Sequence, residues 1–123
     1  MEQAQKNMLL KSACKVRMGA IEGTTEAKSG HPGGSLSAAD IITYLYFCEM
    51  NVDPKNPKKA DRDRFVLSKG HCAPALYSVL ALKGFFDFGE IKNLRKIGGM
   101  LQGHPDMNKI PGIDMSTGSL GQG

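Results

Sequence analysis

Asp63-Arg64-Phe65-Val66-Leu67-Ser68-Lys69-Gly70-His71-Cys72-Ala73-Pro74 is the stretch that decides the fold. Its short apolar run, Phe65 to Leu67, is framed by Arg64 and Ser68, and two of its three residues are aromatic or β-branched. That composition predicts a buried parallel strand. Ser68-Lys69-Gly70 then turns the chain, and Pro74 near the start with Gly84 at the end brackets a helix over 73–83. A strand feeding a helix through a glycine turn places His71 where open α/β sheets gather ligands, at a strand's carboxyl end and a helix N-terminus, so an anion such as a phosphate is expected near His71 and Lys69.

Working towards the N-terminus, 51–62 (NVDPKNPKKADR) carries Pro54 and Pro57 among charges and reads as a surface connection. Before it, 41–50 is apolar nearly all round and predicts a buried helix, started by Ser37 with Asp40 three residues later. Over 9–28 the residues Leu10, Cys14, Met18 and Ile21 recur at helical spacing and predict a core-facing stripe, with Gly30 terminating the helix. Towards the C-terminus a shorter helix is expected over 89–96. From Gly98 onward glycine is dense, which predicts an irregular segment of the kind that carries function.

The composition narrows the class. The chain has 123 residues, 41% hydrophobic and 23% charged, which predicts one folded unit rather than disorder. Its net charge of +4 suits an anionic partner without choosing one. The most basic segment, 55–64, holds two aspartates and no interleaved aromatic, so it reads as a solvated loop and not a nucleic-acid surface. Three cysteines without a CxxC pair argue against a disulfide framework. With no apolar signal core over 1–10 and no run of membrane-span length, the expected location is the cytoplasm.

Every histidine follows a glycine: Gly30-His31-Pro32, Gly70-His71-Cys72 and Gly103-His104-Pro105. Glycine permits close approach, and proline biases the residue before it towards an extended conformation, so His31 and His104 are expected on stiff, non-helical backbone. A lone histidine in such a turn serves the turn itself, whereas three in one setting point to a site. A zinc centre has no spacing signature here. The terminal Thr117-Gly118-Ser119-Leu120-Gly121-Gln122-Gly123 is neither a Walker loop nor GxGxxG, and by itself reads equally as a plain turn or a ligand-facing loop.

Taken in order, Ser29-Gly30-His31-Pro32-Gly33, Asp63 to His71, Gly103-His104-Pro105-Asp106 and Ser116 to Gly123 resemble the successive N-terminal motifs of transketolases. The resemblance runs over nearly the whole chain from about Leu10. It implies an α/β fold of the thiamine-diphosphate-binding type, present as a truncated N-terminal part, 1–123 forming a single partial domain that is helix-rich with one or few parallel strands. It implies a transferase that moves a two-carbon ketol unit between sugar phosphates with thiamine diphosphate. His71 matches a cofactor-contacting residue; Gly118 and Leu120, with Ser119 between them, match positions lining the cofactor. His31 and His104 match the residues that meet the sugar near its reactive carbon.

Ser119 stands where many full-length transketolases have proline, and is similar to the serine of N-terminal subunits in split enzymes. The chain stops before the family's Gly-Asp-Gly and later asparagine, so the ligands of the Mg2+ expected in the complete enzyme are absent, as is the activating glutamate. The expected partner is therefore a C-terminal subunit or the remainder of the chain, with no activity from this piece alone. Two other readings stand beside this one: a noncatalytic interaction module, and a piece of a deoxyxylulose-phosphate synthase, against which the Gly-His-Pro-Asp motif speaks. A buried helix with little sheet to cover it predicts a homo-oligomer.

Overall fold

In the computed structural model, which describes residues 1–121, three α-helices carry the architecture: α1 (Gln3–Ala27), α2 (Pro32–Tyr44) and α3 (Ala73–Lys83). A π-helical turn (Leu45–Glu49) extends α2, and 3₁₀ turns occupy Gly70–Cys72 and Phe88–Asn93. Helix α1 packs on both α2 and α3, and the Phe88–Asn93 turn closes against α1.

Helix α3 is the centre of the molecule. Every residue from Ala73 to Ala81 is buried, so this helix has no polar face, as expected of one surrounded by other elements. Its interior end is set by Pro74 in the first turn and its outer end by Gly84, left-handed at φ 105°. Around it lie Val16 of α1, Ile42 and Tyr46 of α2 and its extension, and Leu94, Leu101, Ile110 and Ile113 from the irregular C-terminal part. The glycine-rich segment thus contributes to the core despite lacking regular structure.

Helix α1 turns a different face inward from the one its large apolar residues predict. Ala13, Val16, Gly19, Ala20 and Gly23 are buried, while Leu10, Met18 and Ile21 are 55%, 67% and 50% exposed and Cys14 is exposed. The reason is distance: a methyl group built on Gly19 would overlap Ser78 Oγ, and one on Gly23 would lie 3.3 Å from Ile91 and Leu94. A helix approaching its neighbours this closely selects small residues, and the larger ones are turned outward.

Other boundaries also move. The left-handed residue closing α1 is Lys28 (φ 50°), with its amide donating to Thr24 and Thr25 carbonyls, and not Gly30. Helix α2 begins at Pro32 rather than near Ser37, because proline's fixed φ favours the first helical turn; Ser37 Oγ instead donates to the Gly34 carbonyl. The 41–50 segment is not buried all round: Ile42, Thr43 and Tyr46 are, but Ile41 and Tyr44 face outward.

No strand occurs among the described residues, so the expected strand at Phe65 to Leu67 is irregular backbone. No neighbouring strand is there to pair with it, and side chains take over the bonding. The Phe65 amide donates to Asp114 Oδ2 at 2.9 Å, while Arg62 Nε donates to Asp114 Oδ1 at 2.9 Å. That carboxylate, with Arg62 and Asp114 side chains 14% and 9% exposed, ties the segment before His71 to the C-terminal segment. No helix among the described residues is long and apolar enough to cross a membrane.

Candidate functional site

His31 sits at the boundary of α2, as the residue capping it, with φ −124° and ψ 77°. Pro32 excludes the helical conformation one residue earlier, which fixes this corner. Ser35, wholly buried one turn into α2, stabilises the corner from inside: its hydroxyl donates to either the His31 carbonyl or the Cys72 carbonyl, each 3.2 Å away. The same serine therefore joins the His31 turn to the His71 turn.

His71 lies in the 3₁₀ turn that leads into α3. Lys69, expected beside a phosphate, has another use. Its Nζ donates to the Gly34 carbonyl at 2.8 Å and lies 3.3 Å from Ser37 Oγ, so it fastens the His71 turn to the start of α2. The His31 and His71 rings meet edge to face, centroids 5.0 Å apart and planes inclined at 76°.

His104 is set by α3. The buried Tyr77 hydroxyl donates to the Gln102 carbonyl at 2.7 Å, one peptide before Gly103. Burial pushes the Tyr77 phenol well above its ordinary pKa, with nearby Asp106 acting in the same direction, so it stays a donor at physiological pH. Beyond His104, the Pro105 carbonyl accepts from the Thr117 amide at 3.2 Å, and Ser116 Oγ accepts from the Met107 amide at 3.0 Å. These bonds lay the terminal glycine-rich segment alongside the His104 turn.

The three turns and this segment enclose one open cleft of about 500 Å³ lined by His31, His71, His104, Ser119, Leu120 and Gly121. Of the residues singled out from the sequence, Lys69 and Gly118 are not among those lining it. Gly118 lies behind, where a methyl on Gly70 would come within 2.8 Å of its carbonyl oxygen and 2.9 Å of its nitrogen. Gln122 and Gly123, the last two residues of the fourth motif, lie outside the described residues. The supporting residues Ser35 and Tyr77 carried no signal in the sequence, since a serine or tyrosine without a motif is ordinary. Among the described residues, no group of three or more histidine, cysteine or acidic side chains is placed to hold a metal ion.

Fold and site together define a class: a helical framework around one central helix, presenting histidines from three separate turns and a glycine-rich segment to a common cleft. The family follows from comparison. Residues 9–123 match the model of the transketolase thiamine diphosphate binding domain, and the chain belongs to that family.

The chain is similar to a 6-deoxy-6-sulfo-D-fructose transketolase subunit from Clostridium sp. (strain MSTE9), 55% identical over 76% of this chain and 34% of that protein. It is also similar to one of the subunits of the apulose-4-phosphate transketolase from Phocaeicola vulgatus (47% identical over 89% of this chain and 38% of the relative) and to human transketolase (46%, 99% and 19%). Among solved structures, transketolase from Leishmania mexicana superposes with a TM-score of 0.87 at 34% identity, covering 94% of this chain and 17% of that one. The chain thus spans about a third of the subunit relatives and about a fifth of the full-length ones.

The residues present fit one side of the family's cofactor. The cleft lining is imidazole, hydroxyl, aliphatic and backbone, with no carboxylate among the described lining residues to repel an anion. Thr117, two residues before Ser119 and not itself among the lining residues, has its Oγ1 buried without a hydrogen-bond partner among the described residues.

Proposed function

We propose that this chain is the N-terminal part of a transketolase that moves a two-carbon ketol unit between sugar phosphates, and that it does so only when completed by a C-terminal subunit or the rest of its own chain. The observation that carries this reading is the convergence of His31, His71, His104 and the 119–121 backbone on one cleft. His71 and the backbone of Ser119 and Leu120 face the cofactor, with Gly118 packed behind them against Gly70. His31 and His104 face the sugar. Thiamine diphosphate, when bound, supplies a nucleophilic carbon and an electron sink for cleavage beside a carbonyl. The imidazoles donate to oxygens that gain negative charge and exchange protons near neutral pH.

The completing half supplies the Mg2+ ligands, the activating carboxylate and the opposite wall of the cleft. Coverage of 34%, 19% and 38% of the three relatives named above supports this division. The exposed Leu10, Met18, Ile21 and Ile41 support burial against further protein, with copies of the assembly forming a homo-oligomer in the cytoplasm.

The test is reconstitution. The chain and a completing C-terminal half, mixed with thiamine diphosphate and Mg2+, are expected to consume xylulose 5-phosphate in the presence of an aldose phosphate, and neither half to do so alone. His71→Ala is expected to weaken cofactor binding, and His104→Ala to lower turnover with binding retained. Turnover by this chain alone, or full activity in both variants, would overturn the reading.

A further inference from the structure

We infer that Arg95 is a positioning residue that couples the Ser29-Gly30-His31 segment to the Gly103-His104 segment and so sets the separation of the two imidazoles assigned to the sugar; its effect on turnover rests on the function proposed above. Arg95 and Lys28 are the two non-glycine residues with positive φ among those described, at 62° and 50°. Lys28 closes a long helix, where the left-handed conformation is ordinary. Arg95 instead takes the third position of a turn of type II pattern, after Leu94 at φ −52° and ψ 127° and under a Lys96 amide that donates to the Asn93 carbonyl at 3.2 Å, a place that glycine or asparagine ordinarily fills. A left-handed arginine there persists only when its surroundings over-determine it, and such residues gather near functional sites.

The surroundings are visible. The Arg95 amide donates to the Leu101 carbonyl at 2.8 Å, closing the loop over 95–101 and turning the side chain back towards the histidine turns. Nη1 then donates to Ser29 Oγ at 2.6 Å, across 66 residues of sequence. The guanidinium also packs on Gly103, where a methyl group would lie 3.0, 3.1 and 3.2 Å from Nε, Nη2 and Cζ.

One planar group thus touches the residue two before His31 and the residue one before His104. Among the described residues no carboxylate lies within salt-bridge distance of it, so charge pairing does not account for its position. Its flat shape and five donors do: a lysine reaching Ser29 has no plane to lay on Gly103. Arg95 does not line the cleft, so it acts through the backbone of the two turns.

The experiment uses the assembly of the chain with its completing half, ¹⁵N-labelled at histidine. Arg95→Gly keeps the left-handed backbone free of strain and removes the guanidinium. It is expected to shift the imidazole signals of His31 and His104 while leaving those of His71 in place, with no loss of melting temperature. In the ketol-transfer assay kcat is expected to fall by up to roughly a hundredfold with KM little changed, the loss that a misplacement of about 1 Å produces.

Ser29→Ala is expected to shift the same two imidazoles by less, and Arg95→Lys not to restore them. Unmoved His31 and His104 signals would refute the coupling. Movement of all three histidines with a lowered melting temperature would also refute it, marking Arg95 as a general support of the fold. If the unmodified assembly transfers no ketol unit, the functional reading fails, and the imidazole signals alone then decide whether Arg95 couples the turns.

Discussion

Replacing Gly19 with alanine sets two effects of known size against each other. In the interior of α1, alanine is favoured over glycine by about 1 kcal/mol through backbone entropy. The added methyl, however, would overlap Ser78 Oγ and lie 3.0 Å from both Ser78 Cβ and Phe88 Cζ. Both α1 and α3 must shift to admit it, and overpacking of this kind costs about 1–3 kcal/mol. Ser78 cannot simply rotate away, because its hydroxyl donates to the Pro74 carbonyl at 2.8 Å in a fully buried setting; losing that bond costs about a further 1–2 kcal/mol. The balance is a destabilisation of about 1–4 kcal/mol, or roughly 4–15 °C in melting temperature for a chain of this size.

Thermal and urea unfolding followed by circular dichroism would measure it. Ser78→Ala removes the overlapping atom, so the double variant is expected to be less destabilised than the sum of the singles by about 1–2 kcal/mol, the signature of direct contact. A Gly19→Ala protein as stable as the parent would refute the claim that close helix approach selects small residues on this face of α1.

Gly70→Ala would place a methyl 2.7 Å from Thr117 Oγ1 and against the Gly118 backbone, and is expected to cost about 1–3 kcal/mol, whereas Gly33→Ala, which meets nothing within 4 Å, is expected to be neutral or mildly stabilising in the same unfolding assay. Asp114→Asn removes the charge that holds Arg62 and is expected to cost about 3 kcal/mol, because the pair is mostly buried. Tyr77→Phe leaves the Gln102 carbonyl unpaired and is expected to cost about 1–2 kcal/mol; hydrogen exchange of the 102–105 amides should quicken with it.

The Arg17–Asp40 pair on the surface gives the pH dependence a definite sign. The guanidinium's hydrogen bond holds the Asp40 carboxyl below the usual carboxylate range, so its contribution is present above that range and lost as pH falls through the lowered value. Both side chains are substantially exposed, so Arg17→Ala is expected to change stability by under about 0.5 kcal/mol at neutral pH, and by less as pH falls through the lowered Asp40 value.

What could be read from the sequence depended on how local its physical cause was. Helix α3 was legible end to end, because Pro74 and Gly84 act through their own backbone. The family was legible because four motifs stand in family order, spread from Ser29 to Gly123. The inward face of α1 was not: hydrophobicity identifies large apolar residues as core, but Val16, Ala20 and the glycines win that place through interhelical distance, a property of the neighbour. The strand expected at Phe65 to Leu67 failed for a similar reason, since strand bonding needs a partner, and its first amide found a carboxylate 49 residues away. At the site, the recurring glycine–histidine pairs were visible, whereas the struts Ser35 and Arg95 were not, and Lys69 was visible only as an expected neighbour of an anion, because each acts across the fold.

Those glycine–histidine pairs look like one device repeated, yet each glycine answers a different constraint. Gly30 has φ 140°, a conformation closed to side chains, and a methyl there would also come within 2.5 Å of Thr24 Cγ2. Gly70 has an ordinary φ, and what excludes a side chain is the glycine-rich segment lying directly on it, so this residue fixes how closely Ser119 and Leu120 approach His71. Gly103 is constrained only by the guanidinium of Arg95. Backbone conformation, chain-to-chain contact and side-chain packing have therefore each produced the same two-letter pattern. A recurrence produced by one local cause would be expected wherever such a turn occurs; a recurrence produced by three unrelated causes needs something the three turns share. What they share in this fold is the cleft onto which all three imidazoles open.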